Sequence, residues 1–235
     1  MKHTRSPILF ALVFAFLCTV PVVTHARGAG IEWEMLDREA MELYRAGDYR
    51  RAVVVAQKAL EVAERNVGPD HPNVATSLNN LAALYKAQGD YAKAEPLYRR
   101  ALAIDKKALG PDHPSVATSL NNLAELYRTQ GDYARAEPLF RRALAIQEKV
   151  LDPDHPDVAT SLNNLASLYY TQGDYAKAEP LFRRSLAIRE KALGPDHPDV
   201  ATSLENLATL HRATKRSSEA QALEQRAAQI RAIKR

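Results

Sequence analysis

The chain has 235 residues, of which 46% are hydrophobic and 26% charged. That is ample for a buried core, and alanine supplies much of the apolar share, which favours closely packed helices over sheet. The formal charge of +4, from 32 basic and 28 acidic residues, is too balanced for the basic stripe that nucleic-acid binding demands. A single cysteine, Cys18, excludes an internal disulfide and a thiolate metal site.

Residues 1–26 have the form of a secretory signal peptide. Lys2, His3 and Arg5 make a basic start, and the apolar run 8–23 is interrupted only by Thr19 and Pro21. At roughly 16 residues that run is shorter than the ~20 a bilayer-spanning helix requires. Residues 24–26 end on the small Ala26, a loose cleavage site, and Leu17 before Cys18 argues against a lipoprotein. Cleavage is the expectation, with an uncleaved anchor as the alternative. Cleavage leaves a secreted chain with no membrane insertion, periplasmic if the source is a Gram-negative bacterium. It also removes Lys2 and Arg5, so 32 basic residues become 30 against 28 acidic, a net of +2. Residues 27–32, with Gly28, Ala29 and Gly30, then read as a flexible lead.

From residue 33 the sequence repeats. Pro-Asp-His-Pro recurs at 69–72, 111–114, 153–156 and 195–198, each 42 residues after the last. The spacing divides the chain into units at about 33–68, 69–110, 111–152, 153–194 and 195–235. Each unit reads as two helices. In the second unit, Leu78, Leu81, Ala82 and Tyr85 share one face of a helix over 73–87. Thr76, Asn79, Asn80, Ala83, Lys86 and Ala87 share the opposite face. Gly89 ends that helix and Asp90 caps the next, over 91–108, whose apolar residues keep helical spacing. Pro96, Pro138 and Pro180 fall in the second turn of the second helices and are expected to bend them. In the first unit, Trp33 and Met35 are expected to cover the open end of the core. In the last, Ser217 and Glu224 stand where earlier units have Tyr91 and Tyr98, which makes a polar cap. The tail 231–235 is basic and expected to fray.

Small residues at Ala82, Ala94 and Ala101, set among Leu78, Leu81, Tyr85, Tyr91 and Tyr98, resemble the tetratricopeptide repeat. The 42-residue period, the Gly-Pro-Asp-His-Pro link and the Ala-Glu-Pro-Leu-Tyr-Arg-Arg-Ala-Leu stretch look like its kinesin-light-chain type. The resemblance covers about residues 33–235. It implies an all-α, right-handed α-solenoid of five helix-turn-helix repeats, held by nearest-neighbour packing. It further implies a non-enzymatic scaffold that binds a protein or peptide, with no cofactor.

Catalysis needs dissimilar groups converging on one point, and here the same groups recur one repeat apart. Asp70-His71, Asp112-His113, Asp154-His155 and Asp196-His197 lie in turns between prolines, where such side chains satisfy backbone groups before a helix. No metal site follows from them. Arg99-Arg100, Arg141-Arg142 and Arg183-Arg184 follow Glu95, Glu137 and Glu179 in the favourable order for helical ion pairs, which suits a solvated outer face.

The polar face of the first helices carries more. Asn is a mediocre helix former, yet Asn79, Asn80, Asn121, Asn122, Asn163, Asn164 and Asn206 recur there. A carboxamide donates and accepts, so a row of them suits a peptide backbone of any sequence. In the family the first helices line a concave groove whose asparagines grip peptide backbone. The resemblance carries that role onto Asn80, Asn122, Asn164 and Asn206, and beside them Asn79, Asn121 and Asn163. The alternative is that one asparagine of each pair bonds a neighbouring helix and holds the stack. Lys86, Arg128, Tyr170 and Arg212 form one varying column and Ala83, Glu125, Ser167 and Thr209 another, while Glu205 replaces an asparagine. These suggest a mildly basic groove with one aromatic shelf, and a partner segment with acidic residues and one apolar or aromatic side chain. A structural assembly role, by self-association or by bridging subunits of an envelope complex, is the second reading.

Overall fold

The computed structural model describes residues 21–233, with side chains from residue 32 onward. Among them are ten helices: α1 (Pro21–Arg45), α2 (Tyr49–Val67), α3 (Pro72–Ala87), α4 (Tyr91–Leu109), α5 (Pro114–Thr129), α6 (Tyr133–Val150), α7 (Pro156–Thr171), α8 (Tyr175–Leu193), α9 (Pro198–Ala213) and α10 (Ser217–Ile233). The signal sequence expected at 1–26, its cleavage after Ala26, Cys18 and the last two residues of the tail lie outside the described side chains. Residues 27–32, expected as a loose lead, are helical and part of α1. Extending a formed helix by one residue is far easier than nucleating one, so α1 continues backward from its packed half.

The helix boundaries follow from local chemistry. Asp48, Asp90, Asp132 and Asp174 cap α2, α4, α6 and α8, accepting from the backbone N–H three residues on. Before α3, α5, α7 and α9 the cap is a histidine. Nδ1 of His71, His113, His155 and His197 accepts from the backbone N–H two residues on at 3.1–3.2 Å, with proline at the first helical position. The Asp-His turns are therefore helix starts. α4, α6 and α8 each run through their proline as one helix.

Gly47, Gly89, Gly131 and Gly173 close the turn within a repeat at φ of 77–78°, the left-handed region that suits glycine. The last repeat puts Lys215 at the same point with φ 62°. A side chain there opposes that conformation by roughly 1–2 kcal/mol, part of which a glycine returns as unfolded-chain entropy. Lys215→Gly is expected to stabilise the chain by about 0.5–1 kcal/mol in urea unfolding.

Each helix pair packs together most extensively, and each second helix packs on the first helix of the next repeat. Columns of alanine make the approach close: Ala82, Ala124, Ala166 and Ala208 on the first helices and Ala94, Ala136, Ala178 and Ala220 on the second are at most 1% exposed. Tyr98, Phe140 and Phe182 fill the space between repeats. Successive first helices touch (α1 with α3, α3 with α5, α5 with α7), and no pair of second helices does to that extent. The stack is therefore tighter along its first helices, which form its inner side. The result is a solenoid of five helix pairs. Trp33 does not cover the open end: its indole N–H donates to Ser77 Oγ at 2.6 Å, inside the first junction. Met35, two residues on and so on another face of α1, is 62% exposed.

The outer side is laced with ion pairs, as the Glu-to-Arg spacing implies: Arg99 with Glu95, Arg141 with Glu137, Arg183 with Glu179. The last junction concentrates them. Glu179 accepts from Arg183 and, through both oxygens, from Arg216 at 2.8 Å, with Nε2 of the buried His211 at 3.5 Å. The Arg216 hydrogen bonds, opposed by burial and helped by Arg183, pull the Glu179 carboxyl down to about 2 from its ordinary 4.5. A carboxyl lowered by folding stabilises the fold above its unfolded pKa and loses that contribution as pH falls through the folded one. The window here runs from about pH 4.5 to about 2. Discounted for solvent screening, the contribution is about 1–2 kcal/mol. Glu179→Gln is expected to lose that much at pH 7 in denaturant unfolding, with the difference from wild type vanishing toward pH 2.

Candidate interaction surface

The inner side carries the polar face of α3, α5, α7 and α9, and the asparagine pairs divide there by direction. Asn79 Nδ2 donates to Ser119 Oγ at 2.9 Å, and that hydroxyl donates to Asp105 Oδ2 at 2.6 Å. Burial pushes the Asp105 carboxyl up, partly offset by the Ser119 bond. Asn121 Nδ2 donates to Ser161 Oγ at 2.7 Å. In the last junction Arg189, its pKa lowered by burial, donates to Ser203 Oγ at 2.7 Å. A buried serine of each repeat thus receives a hydrogen bond from the repeat before it, through Trp33, Asn79, Asn121 or Arg189. The sequence reading missed this serine layer, although Ser77, Ser119, Ser161 and Ser203 recur at the same 42-residue period.

The second asparagine of each pair lies nearer the open face. Asn80 Nδ2 donates to Asp37 Oδ1 at 2.7 Å, and Asn206 Nδ2 donates to Asn163 Oδ1 at 2.8 Å, each bond reaching 43 residues back. The same register sets Asn122 against Asn79 and Asn164 against Asn121. Those two rungs are open: Asn79 Oδ1 and Asn121 Oδ1 are buried without a hydrogen-bond partner among the described residues, and Asn121 is only 7% exposed. Asn122 and Asn164, half-buried, carry no side-chain hydrogen bond among the described residues. Between α3 and α5 a cleft of about 230 Å³ is lined by Asn73, Thr76, Asn80, Ser115, Thr118 and Asn122. The threonines bond their own helix, Thr76 to the Pro72 carbonyl and Thr118 to that of Pro114, so they offer the cleft no free donor.

The varying column sits at the C-terminal ends of the first helices. Arg128 holds Glu125 through two bonds of 2.6 and 2.7 Å, and Lys86 lies 3.9 Å from the same carboxylate. Burial depresses the Lys86 ammonium, and Arg128 adds to the depression. One carboxylate between two cations leaves a local charge of +1. Arg212 is neutralised by Glu224 of α10, and Glu205 by Arg231. The Tyr170 ring lies 5.5 Å from that of Tyr175, tilted by 48°. The basic character of that column is therefore confined to Lys86, Glu125 and Arg128, with the tyrosine pair one repeat beyond Arg128.

The tetratricopeptide repeat profile matches residues 35–107, 86–149, 129–191 and 157–232, which together cover residues 35–232 and reach into all ten helices. The chain belongs to the tetratricopeptide repeat family. Among solved structures it is similar to a kinesin-light-chain-like protein of Podosopora anserina built of nearly identical repeats. That likeness has 29% identity and a TM-score of 0.66, covering 86% of this chain and 96% of that one. It is also similar to BtubC (BKLC) from P. vanneervenii, at 27% identity and TM-score 0.68, covering 92% of each chain. PilF of Pseudomonas aeruginosa shares the fold at 21% identity and TM-score 0.61, over 86% of this chain and 78% of that one. A search of curated proteins finds no match. Tetratricopeptide repeat proteins act in general as protein–protein interaction scaffolds, and the kinesin-light-chain-like arrangement is a non-catalytic scaffold type.

Proposed function

We propose that this protein is a non-enzymatic scaffold that grips an extended segment of a partner protein along its inner face, outside the cytoplasm. The observation that carries the reading is the pair of open rungs. Buried acceptors without partners are rare, and these two face asparagines whose own amides are uncommitted. With a partner bound, Asn122 and Asn164 are placed to donate inward to Asn79 and Asn121, as Asn206 does to Asn163, which turns their Oδ1 atoms outward toward it, spaced one repeat apart. Such acceptors suit the N–H groups of an extended chain without regard to its side chains. Side-chain preference then comes from the Lys86, Glu125 and Arg128 cluster and from Tyr170, which favour an acidic segment bearing an apolar or aromatic residue. The extracytoplasmic site rests on the N-terminal sequence.

Affinity capture from an envelope extract of the source cell tests this, with residues 27–235 as bait beside the Asn122→Ala/Asn164→Ala form. A partner held by the first and lost by the second supports the reading; equal capture by both removes it from the inner face. Lys86→Glu with Arg128→Glu is expected to weaken that capture more at low salt than at high salt. No change at either salt would sink the acidic preference.

A further inference from the structure

The near-identity of the repeats lets each junction serve as a control for the others, and on the outer side one junction carries an excess of positive charge. Where α2 meets α4, Glu64 pairs with Arg100 and Asp70 with Lys107. Where α6 meets α8, Glu148 pairs with Arg184 and Asp154 with Lys191. Both sets of four balance, two carboxylates against two cations. Where α4 meets α6, the residue in the place of Glu64 and Glu148 is Lys106. Asp112 must then serve both Arg142 and Lys149, and the set is three cations to one carboxylate, a net of +2. Lys106 makes no ion pair or hydrogen bond among the described residues.

Lys106, the unpaired member of that set, borders an apolar hollow. Between α4 and α6 a cavity of about 510 Å³ is lined by Leu102, Ala103, Leu123, Tyr127, Pro138 and Leu139, with Lys106 on its rim. Arg99 and Arg135 are also on the rim, but Glu95 and Asp132 already hold them. The hollow between α6 and α8 is similar in size, about 580 Å³. Its junction has Glu148 at the place of Lys106, paired with Arg184.

We propose that the outer groove between α4 and α6 is a second docking site, separate from the inner face, for an acidic segment of a partner protein. One bulky apolar side chain enters the hollow over Leu123 and Pro138. A flanking carboxylate meets Lys106, and the other relieves Asp112, which Arg142 shares with Lys149, taking the part that Glu64 and Glu148 play at the balanced junctions. Charge complementarity selects this occupant: an uncharged apolar segment leaves the +2 excess unanswered, and a basic one is repelled.

The test uses the full helical chain and a fluorescein-labelled peptide of one leucine flanked on each side by two glutamates. A control peptide carries glutamines instead. Lys106→Glu restores the pattern of the other junctions, so its helicity and unfolding midpoint are expected to match or exceed wild type. By anisotropy, the acidic peptide should bind wild type at least tenfold more tightly than Lys106→Glu, and at least tenfold more tightly than the glutamine peptide binds. Asn122→Ala/Asn164→Ala should leave that affinity unchanged. Equal binding to wild type and Lys106→Glu, no binding of the acidic peptide, or loss of binding in the asparagine variant alone would each overturn the proposal. The last outcome would assign the acidic segment to the inner face.

Discussion

Phe140→Ala is expected to cost about 3–5 kcal/mol, the range for emptying a fully buried aromatic site. Phe140 lies on α6 at 0% exposure, within the apolar cluster that joins α3 through α9. It shares its column with Tyr98 and Phe182, so one truncation loosens the middle of the stack rather than an end. Stability in a repeat array is close to a sum of repeat and nearest-neighbour terms. Weakening the central coupling is therefore expected to split a single unfolding transition into two, one for each half. Calorimetry and urea titration followed by circular dichroism check this. A single transition shifted by less than ~1 kcal/mol would show that the repeats are not coupled through Phe140.

The second large effect separates binding from stability within the asparagine pairs. Asn79→Ala with Asn121→Ala removes the donors that reach Ser119 and Ser161 across two junctions. It is expected to destabilise the chain by about 1–3 kcal/mol, since the buried hydroxyls of Ser119 and Ser161 lose the amides that donate to them. Asn122→Ala with Asn164→Ala is expected to change stability by less than about 1 kcal/mol, because in the free protein those side chains make no hydrogen bond among the described residues. Partner affinity should nevertheless fall by about a hundredfold, near the loss of two hydrogen bonds of about 1.4 kcal/mol each. The reverse pattern, with the first pair controlling binding and the second stability, would exchange their roles.

The fold was legible in the sequence because repetition averages out local ambiguity. Four copies of one helix-turn-helix pattern fix boundaries that a single copy leaves loose, and α3 and α4 lie within one residue of the spans read from periodicity. The inward column of alanines and the ion pairs from Glu95 to Arg99 follow from spacing along one helix. What spacing cannot give is which neighbour lies across a junction. Trp33 looked like an end cover, yet its partner is Ser77 in the next repeat. The charges of Arg212 and Glu205 seemed free for a ligand until α10 supplied Glu224 and Arg231. The serine layer was overlooked because a small hydroxyl in an alanine-rich helix reads as filler. Its role depends on Asn79 arriving from 40 residues away.

Photocrosslinking from single positions tests most directly whether the partner runs along the inner face. A benzophenone amino acid would be placed at Ser167, half-buried on α7 beside the open rungs, or at Ala187, exposed on the outer side of α8. The account predicts that the partner captured from the envelope extract crosslinks from position 167 and not from 187, and that Asn122→Ala/Asn164→Ala abolishes the product. Crosslinking from 187 alone, or from 167 with equal yield in the asparagine variant, would contradict it.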